Sequence, residues 1–137
     1  MTKTLVNFQS ESTASGDEFE KLVVKDLVSK GYNIISTNKK IPEIGVNVDV
    51  IAEKNGVVEY IEDKGGKPGK GKRPGAERTD NVKKAICNGA LLKAKHPNVC
   101  YVIYFSAKPK PGNSSEEMLN TAIEFGFVDE VRYLSYE

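Results

Sequence analysis

Residues 46–66 read VNVDVIAEKNGVVEYIEDKGG. Asn55-Gly56 stands between two runs rich in valine and isoleucine, the pattern of a two-residue type I′ turn joining antiparallel strands. With Lys54 opposite Val57, the register runs outward until Asp49 falls opposite Glu62 and Asn47 opposite Lys64. The Asp49/Glu62 pair is of the non-hydrogen-bonded kind, with side chains about 4.5–5.5 Å apart at Cβ. Like charges so placed destabilise a bare hairpin, and a cation between them removes the cost. Two carboxylates without nitrogen or sulfur ligands suit Mg²⁺, which binds through one or two carboxylates, waters and a substrate phosphate. Period-two alternation puts Lys64 on the same face as Glu62. The hairpin thus predicts a metal, an ammonium group and open coordination positions in one place.

A chain of 137 residues, 39% hydrophobic and 28% charged, suits one soluble domain with one core. No apolar run approaches the roughly 18 residues of a membrane span, and the start lacks the apolar core of a secretory signal. A cytosolic protein with no membrane association and no small organic cofactor is expected. Cys87, Cys100 and the single His96 offer no zinc-ligand spacing, and both cysteines read as reduced core residues. The net charge of +1 conceals a partition. Residues 1–63 carry 7 basic and 11 acidic side chains, residues 64–110 carry 12 and 2, and residues 111–137 carry 1 and 6. A basic block that begins at Lys64 is the electrostatic footprint of a phosphate-backbone partner.

Residues 1–14 are mostly polar and read as an arm, leaving 15–137 as a single domain. Ser15 to Gly31 reads as a helix, with a capping box at Ser15-Gly16-Asp17-Glu18, an apolar stripe of Phe19, Leu22, Val23 and Leu27, and a glycine stop. Glu20 projects into that stripe, where a carboxylate needs a reason. Tyr32 to Ser36 predicts a strand and Thr37 to Gly45 a polar link to the hairpin. The loop 65–78, GGKPGKGKRPGAER, carries Lys67, Lys70, Lys72, Arg73 and Arg78. It leaves the carboxyl end of a strand, where loops border the ligand crevice of an open α/β sheet, and could neutralise several phosphates. A second helix from Thr79 or Asp80 to about Lys95 turns Val82, Ala85, Ile86, Gly89 and Ala90 inward, with Leu92 a further candidate for that face and Gly89 marking close packing on the sheet. Lys83 and Lys84 oppose the helix dipole near its start, which a negative partner would offset. Val99 to Phe105 predicts a buried parallel strand, Ser114 to Phe125 a third helix, and Val128 to Tyr136 an edge strand.

Asp49 followed by Glu62-Asp63-Lys64 on the next strand resembles the motif of the PD-(D/E)XK, or restriction-endonuclease-like, nucleases. The order of elements through residue 105 is similar to the α-β-β-β-α-β core of that superfamily, here followed by a C-terminal helix and strand. The expected fold is therefore α/β, a mixed central sheet flanked by helices. Val48 stands where the motif's name has proline, and Asp63 fills a middle position often apolar in the family. Alternation turns Asp63 to the opposite face, which suggests that the strand end is wet there.

The resemblance implies a catalytic set of Glu20, Asp49, Glu62 and Lys64. Mg²⁺, for which Mn²⁺ can substitute, would be held by Asp49, Glu62 and the carbonyl of Asp63, with Glu20 completing the site. Lys64 would orient or deprotonate the attacking water and contact the phosphate. DNA would contact Lys67, Lys70, Lys72, Arg73, Arg78, Lys83 and Lys84. The implied activity is hydrolysis of DNA phosphodiesters by a homodimer or higher homo-oligomer, of a restriction or homing type or of a structure-specific, junction-resolving type. A nuclease-fold scaffold or subunit that binds DNA without cutting is the alternative.

Overall fold

A computed structural model of the chain describes residues 8–66 and 73–136, with side chains from residue 18 onward. Helix α1 (Phe8–Ser29) precedes three strands, β1 (Asn33–Ile41), β2 (Val46–Lys54) and β3 (Val57–Lys64). A short 3-10 turn (Gly75–Glu77) leads into α2 (Thr79–Lys95), then β4 (Cys100–Phe105), α3 (Ser114–Glu124) and β5 (Glu130–Tyr133). The five strands form one sheet in the order β1-β2-β3-β4-β5, antiparallel from β1 to β3 and parallel from β3 to β5. This mixed sheet flanked by three helices has the architecture of a restriction-endonuclease-like core.

Both faces of the sheet are covered, which is why β4 is apolar throughout. Tyr101, Ile103 and Phe105 point toward α2 and α3, where Val82, Ala85, Leu92, Leu119 and Ala122 are buried. Val102 and Tyr104 point the other way, with Val50, Ala52 and Ile61, onto Phe19, Val23 and Leu27 of α1. Gly89 brings α2 close to the sheet. A Cβ there would stand 2.6 Å from the Tyr101 ring and 2.7 Å from the Phe127 carbonyl.

The hairpin takes the expected register, Lys54↔Val57 through Val50↔Ile61. Asn55 and Gly56 adopt φ of 54° and 80°, the left-handed pair that a type I′ turn requires. Some boundaries and one side-chain burial differ from expectation. Helix α1 starts at Phe8 rather than Ser15, so the proposed capping box lies inside the helix and part of the proposed arm is helical. Nothing from Phe8 to Ser15 is a proline, and one interior glycine, Gly16, costs only about 1 kcal/mol. Strand β1 continues to Ile41, because its polar residues lie on an exposed sheet edge where no apolar pattern is needed. Cys87 is exposed rather than a core residue, while Cys100 is half-buried; both are free thiols.

Candidate metal centre

The hairpin and α1 converge at the carboxyl end of β3. Along β2, Val48 faces α2 and α3, as Ile51 does, whereas Val50 and Ala52 face α1. The alternation therefore breaks at Asp49. Across from this break, on β1, Asn38 lies between the pairs Thr37↔Val50 and Lys39↔Val48 and takes a left-handed φ of 52°. The β2–β3 ladder ends at Val50↔Ile61, one position short of the expected Asp49/Glu62 pair. In its place the Asp63 backbone N–H donates to Asp49 Oδ2 at 2.9 Å. The Asp49 side chain thus sits between the two faces instead of standing beside Glu62 alone.

On the α1 side, Glu20, Asp49 and Asp63 each present a carboxylate oxygen, and these oxygens all lie within 4.8 Å of one another. This corrects the expectation for Asp63. Its side chain lies on the face opposite Glu62 and Lys64, and α1 half-covers that face, bringing Glu20 to it. Asp63 Oδ2 is buried without a hydrogen-bond partner. Alternation sets the face on which Asp63 lies; what packs over a strand end is a long-range fact that the alternation does not carry.

On the α2 side, Glu62 is only 4% exposed. Lys64 Nζ lies 3.4 Å from Glu62 Oε2, and the Asn88 amide on α2 stands close enough to favour the ionised carboxylate. Asn88 went unnoticed in the sequence. It lies between Ala85 and Leu92 on the inward stripe of α2, so it is a polar residue on an apolar face, the same signal that singled out Glu20.

The electrostatics show that the ionised form of these groups is disfavoured without a counter-charge. Burial raises the Glu62 carboxyl to about 7, with the Asp49 charge adding to the effect, and Lys64 and Asn88 only partly oppose it. Asp63 is pushed up to about 9 by burial and then by the charges of Asp49, Glu20 and Glu62, against Lys64. Asp49 is raised by burial despite the Asp63 N–H and Lys64. Glu59, the other buried carboxylate, makes a useful contrast. It accepts from Arg132 at 3.0 and 3.1 Å and from the Tyr32 hydroxyl at 2.9 Å, so its charge is fully matched within the chain. The Glu20–Asp49–Asp63 group, with an orphaned buried oxygen on Asp63 and raised carboxyls at Asp49 and Asp63, fits a hard divalent cation with oxygen ligands.

Of the expected DNA contacts, Lys67, Lys70 and Lys72 lie outside the described residues. Arg73, Arg78, Lys83 and Lys84 are exposed on the segment and helix that follow β3. His96 is the C-cap of α2, with no place in the site.

No family model and no curated protein matches the sequence. Two solved structures share its fold. One is a protein of unknown function, AF1548, with a TM-score of 0.56 and 18% identity over 87% of this chain. The other is Pyrococcus furiosus SfsA in complex with Ca²⁺, with a TM-score of 0.53 and 24% identity over 90% of this chain. The chain spans 57% of the length of each. Among the described residues no helix is long and apolar enough to cross a membrane.

Proposed function

We infer that the chain is a divalent-metal-dependent DNA endonuclease of the PD-(D/E)XK type. The observation that carries this reading is the convergence of Glu20, Asp49 and Asp63 beside the Glu62–Lys64 pair, at the strand end from which the basic segment departs. The neighbour solved with Ca²⁺ adds support for a hard cation on this fold. Glu20, Asp49 and Asp63 would hold Mg²⁺ or Mn²⁺, with Asp63 contributing its carboxylate in addition to the carbonyl implied by the family motif. A cation bound there supplies Lewis acidity toward a phosphate oxygen and toward water.

The chain's own groups do the rest. Lys64, half-buried, presents an ammonium to a phosphate oxygen and offsets charge built up in the transition state. Glu62, which burial raises to about 7 in the cation-free fold, stands beside Lys64 as the candidate group to exchange a proton with the water. Arg73, Arg78, Lys83 and Lys84, with Lys67, Lys70 and Lys72, neutralise backbone phosphates. A homodimer supplies the two sites that duplex cleavage requires.

The test is cleavage of supercoiled plasmid and of a four-way junction in Mg²⁺ or EDTA, comparing wild type with Asp49→Ala and Lys64→Ala. Metal-dependent cutting lost in both variants supports the reading, and the preferred substrate separates a restriction-like from a junction-resolving enzyme. Binding of DNA without cutting of either substrate would overturn it in favour of a nuclease-fold DNA-binding scaffold.

A further inference from the structure

The end of the chain returns to the site. After β5, the Leu134 backbone N–H donates to the Phe105 carbonyl at 3.0 Å, which carries the C-terminal segment alongside the end of β4. Tyr136 then reaches the end of β3. The Gly66 N–H donates to its hydroxyl oxygen at 2.9 Å, across 70 positions of sequence. Its ring packs on Phe19 of α1, with centroids 5.6 Å apart and planes tilted by 40°. Gly65 fills the corner between them, where a Cβ would stand 2.6 Å from Phe19 Cβ and 2.9 Å from the Tyr136 hydroxyl oxygen. Three elements therefore meet without spare room: α1 one residue before Glu20, β3 just after Lys64, and the C-terminal segment.

We propose that Tyr136 is a positioning residue of the metal centre, clasping the end of β3 to α1 so that Glu20 is held against Asp63 and Asp49. The proposal rests on the reading of those carboxylates as a divalent-metal site. Glu20 stands on a helix, and Asp63 and Asp49 stand on strands, so their spacing follows from how α1 sits on the strand end. Without a cation these carboxyl groups crowd one another, at the expense of ionisation, and relief of that crowding favours separation of α1 from β3. The clasp opposes that separation directly beside the site. A site held at its bound spacing does not spend binding energy on closing, so the clasp raises cation affinity.

The test is calorimetric titration of MnCl₂ into the full chain, as wild type, Tyr136→Phe and Tyr136→Ala, with thermal unfolding of each in EDTA. Tyr136→Phe keeps the ring on Phe19 and removes the acceptor for the Gly66 N–H. It is expected to weaken Mn²⁺ binding about fivefold, the size of one net hydrogen bond. Tyr136→Ala removes both contacts and is expected to weaken it about tenfold or more, as loss of a supporting partner does in metal sites. Gly65→Ala, which forces Phe19 and Tyr136 apart, is expected to act in the same direction. Unchanged Mn²⁺ affinity in Tyr136→Phe and Tyr136→Ala, whatever their melting temperatures, would overturn the proposal and leave Tyr136 a packing residue. Where the alanine variant does not fold, the phenylalanine variant decides. Absence of Mn²⁺ binding by the wild type is a separate result, which would overturn the metal reading itself and the clasp with it.

Discussion

At the scale of single residues, Asp63 carries the largest electrostatic cost in the site. Its half-buried carboxylate stands near those of Asp49, Glu20 and Glu62, and one of its oxygens is buried without a partner. Asp63→Asn places an amide that can donate to the neighbouring carboxylates. It is expected to stabilise the metal-free protein by roughly 1–3 kcal/mol at pH 8, the range for satisfying a buried polar group, and to abolish Mn²⁺ binding. Chemical denaturation in EDTA and a metal titration check the two halves. A destabilised Asp63→Asn protein would show that the carboxylate has a structural partner. Gly89→Ala poses a contest of signs. An exposed helix position would gain about 1 kcal/mol from alanine, but a Cβ at 2.6 Å from Tyr101 overpacks the contact between α2 and the sheet. A net loss of about 1–3 kcal/mol in urea denaturation is expected. Glu20 and Gly89 stood out in the sequence as exceptions on a helical stripe; Asn88 carried the same signal and was missed, though legible. The burial of Asp63 was not, because its cover comes from α1, far away in sequence.

At the scale of elements, the β2–β3 hairpin is the part most fully written in local sequence. Asn55-Gly56 sets the turn, the turn sets the register, and the register brings Asp49 to the strand end that carries Glu62, Asp63 and Lys64. The break in alternation at Asp49 escaped the pattern, since Val46, Val48 and Val50 look equivalent in sequence yet Val48 and Val50 face opposite layers. The contact of Tyr136 with Gly66 was equally out of reach, because only the finished sheet order brings residue 136 to the end of β3. For the basic elements, Arg78, Lys83 and Lys84 are exposed, so alanine at all three should leave the melting temperature near that of the wild type. DNA affinity is expected to fall, and the slope of log K against log salt to become shallower by about 2–3, close to one phosphate per residue. A fluorescence anisotropy titration at several salt concentrations measures this. An unchanged slope would place the DNA contact elsewhere.

At the scale of the whole molecule, the site is expected to make stability depend on pH and, if it holds a cation, on metal as well. Glu62 and Asp63 titrate at 4.5 and 3.8 when unperturbed and are raised to about 7 and about 9 in the fold. Between those limits the folded protein binds more protons than the unfolded chain, so stability falls as pH rises. Their contribution is complete below the unperturbed values and is lost as pH passes through about 7 and then about 9. The melting temperature in EDTA is therefore expected to decline from pH 5 to pH 9, and Mn²⁺ to flatten the decline, because a cation that binds only the folded state stabilises it by mass action. A melting temperature that rises over this range in EDTA would show that these carboxylates are matched by positive charge within the chain, as Glu59 is by Arg132.

The proposed activity and the role of Tyr136 both require that Glu20, Asp49 and Asp63 together hold a divalent cation. Anomalous diffraction from crystals grown with Mn²⁺ tests it most directly. The expected result is a manganese peak between these three side chains, on the α1 side of the end of β3, and its loss in Asp49→Ala. A peak bound by Glu62 without Glu20 and Asp63, or no peak at this strand end, would contradict the account.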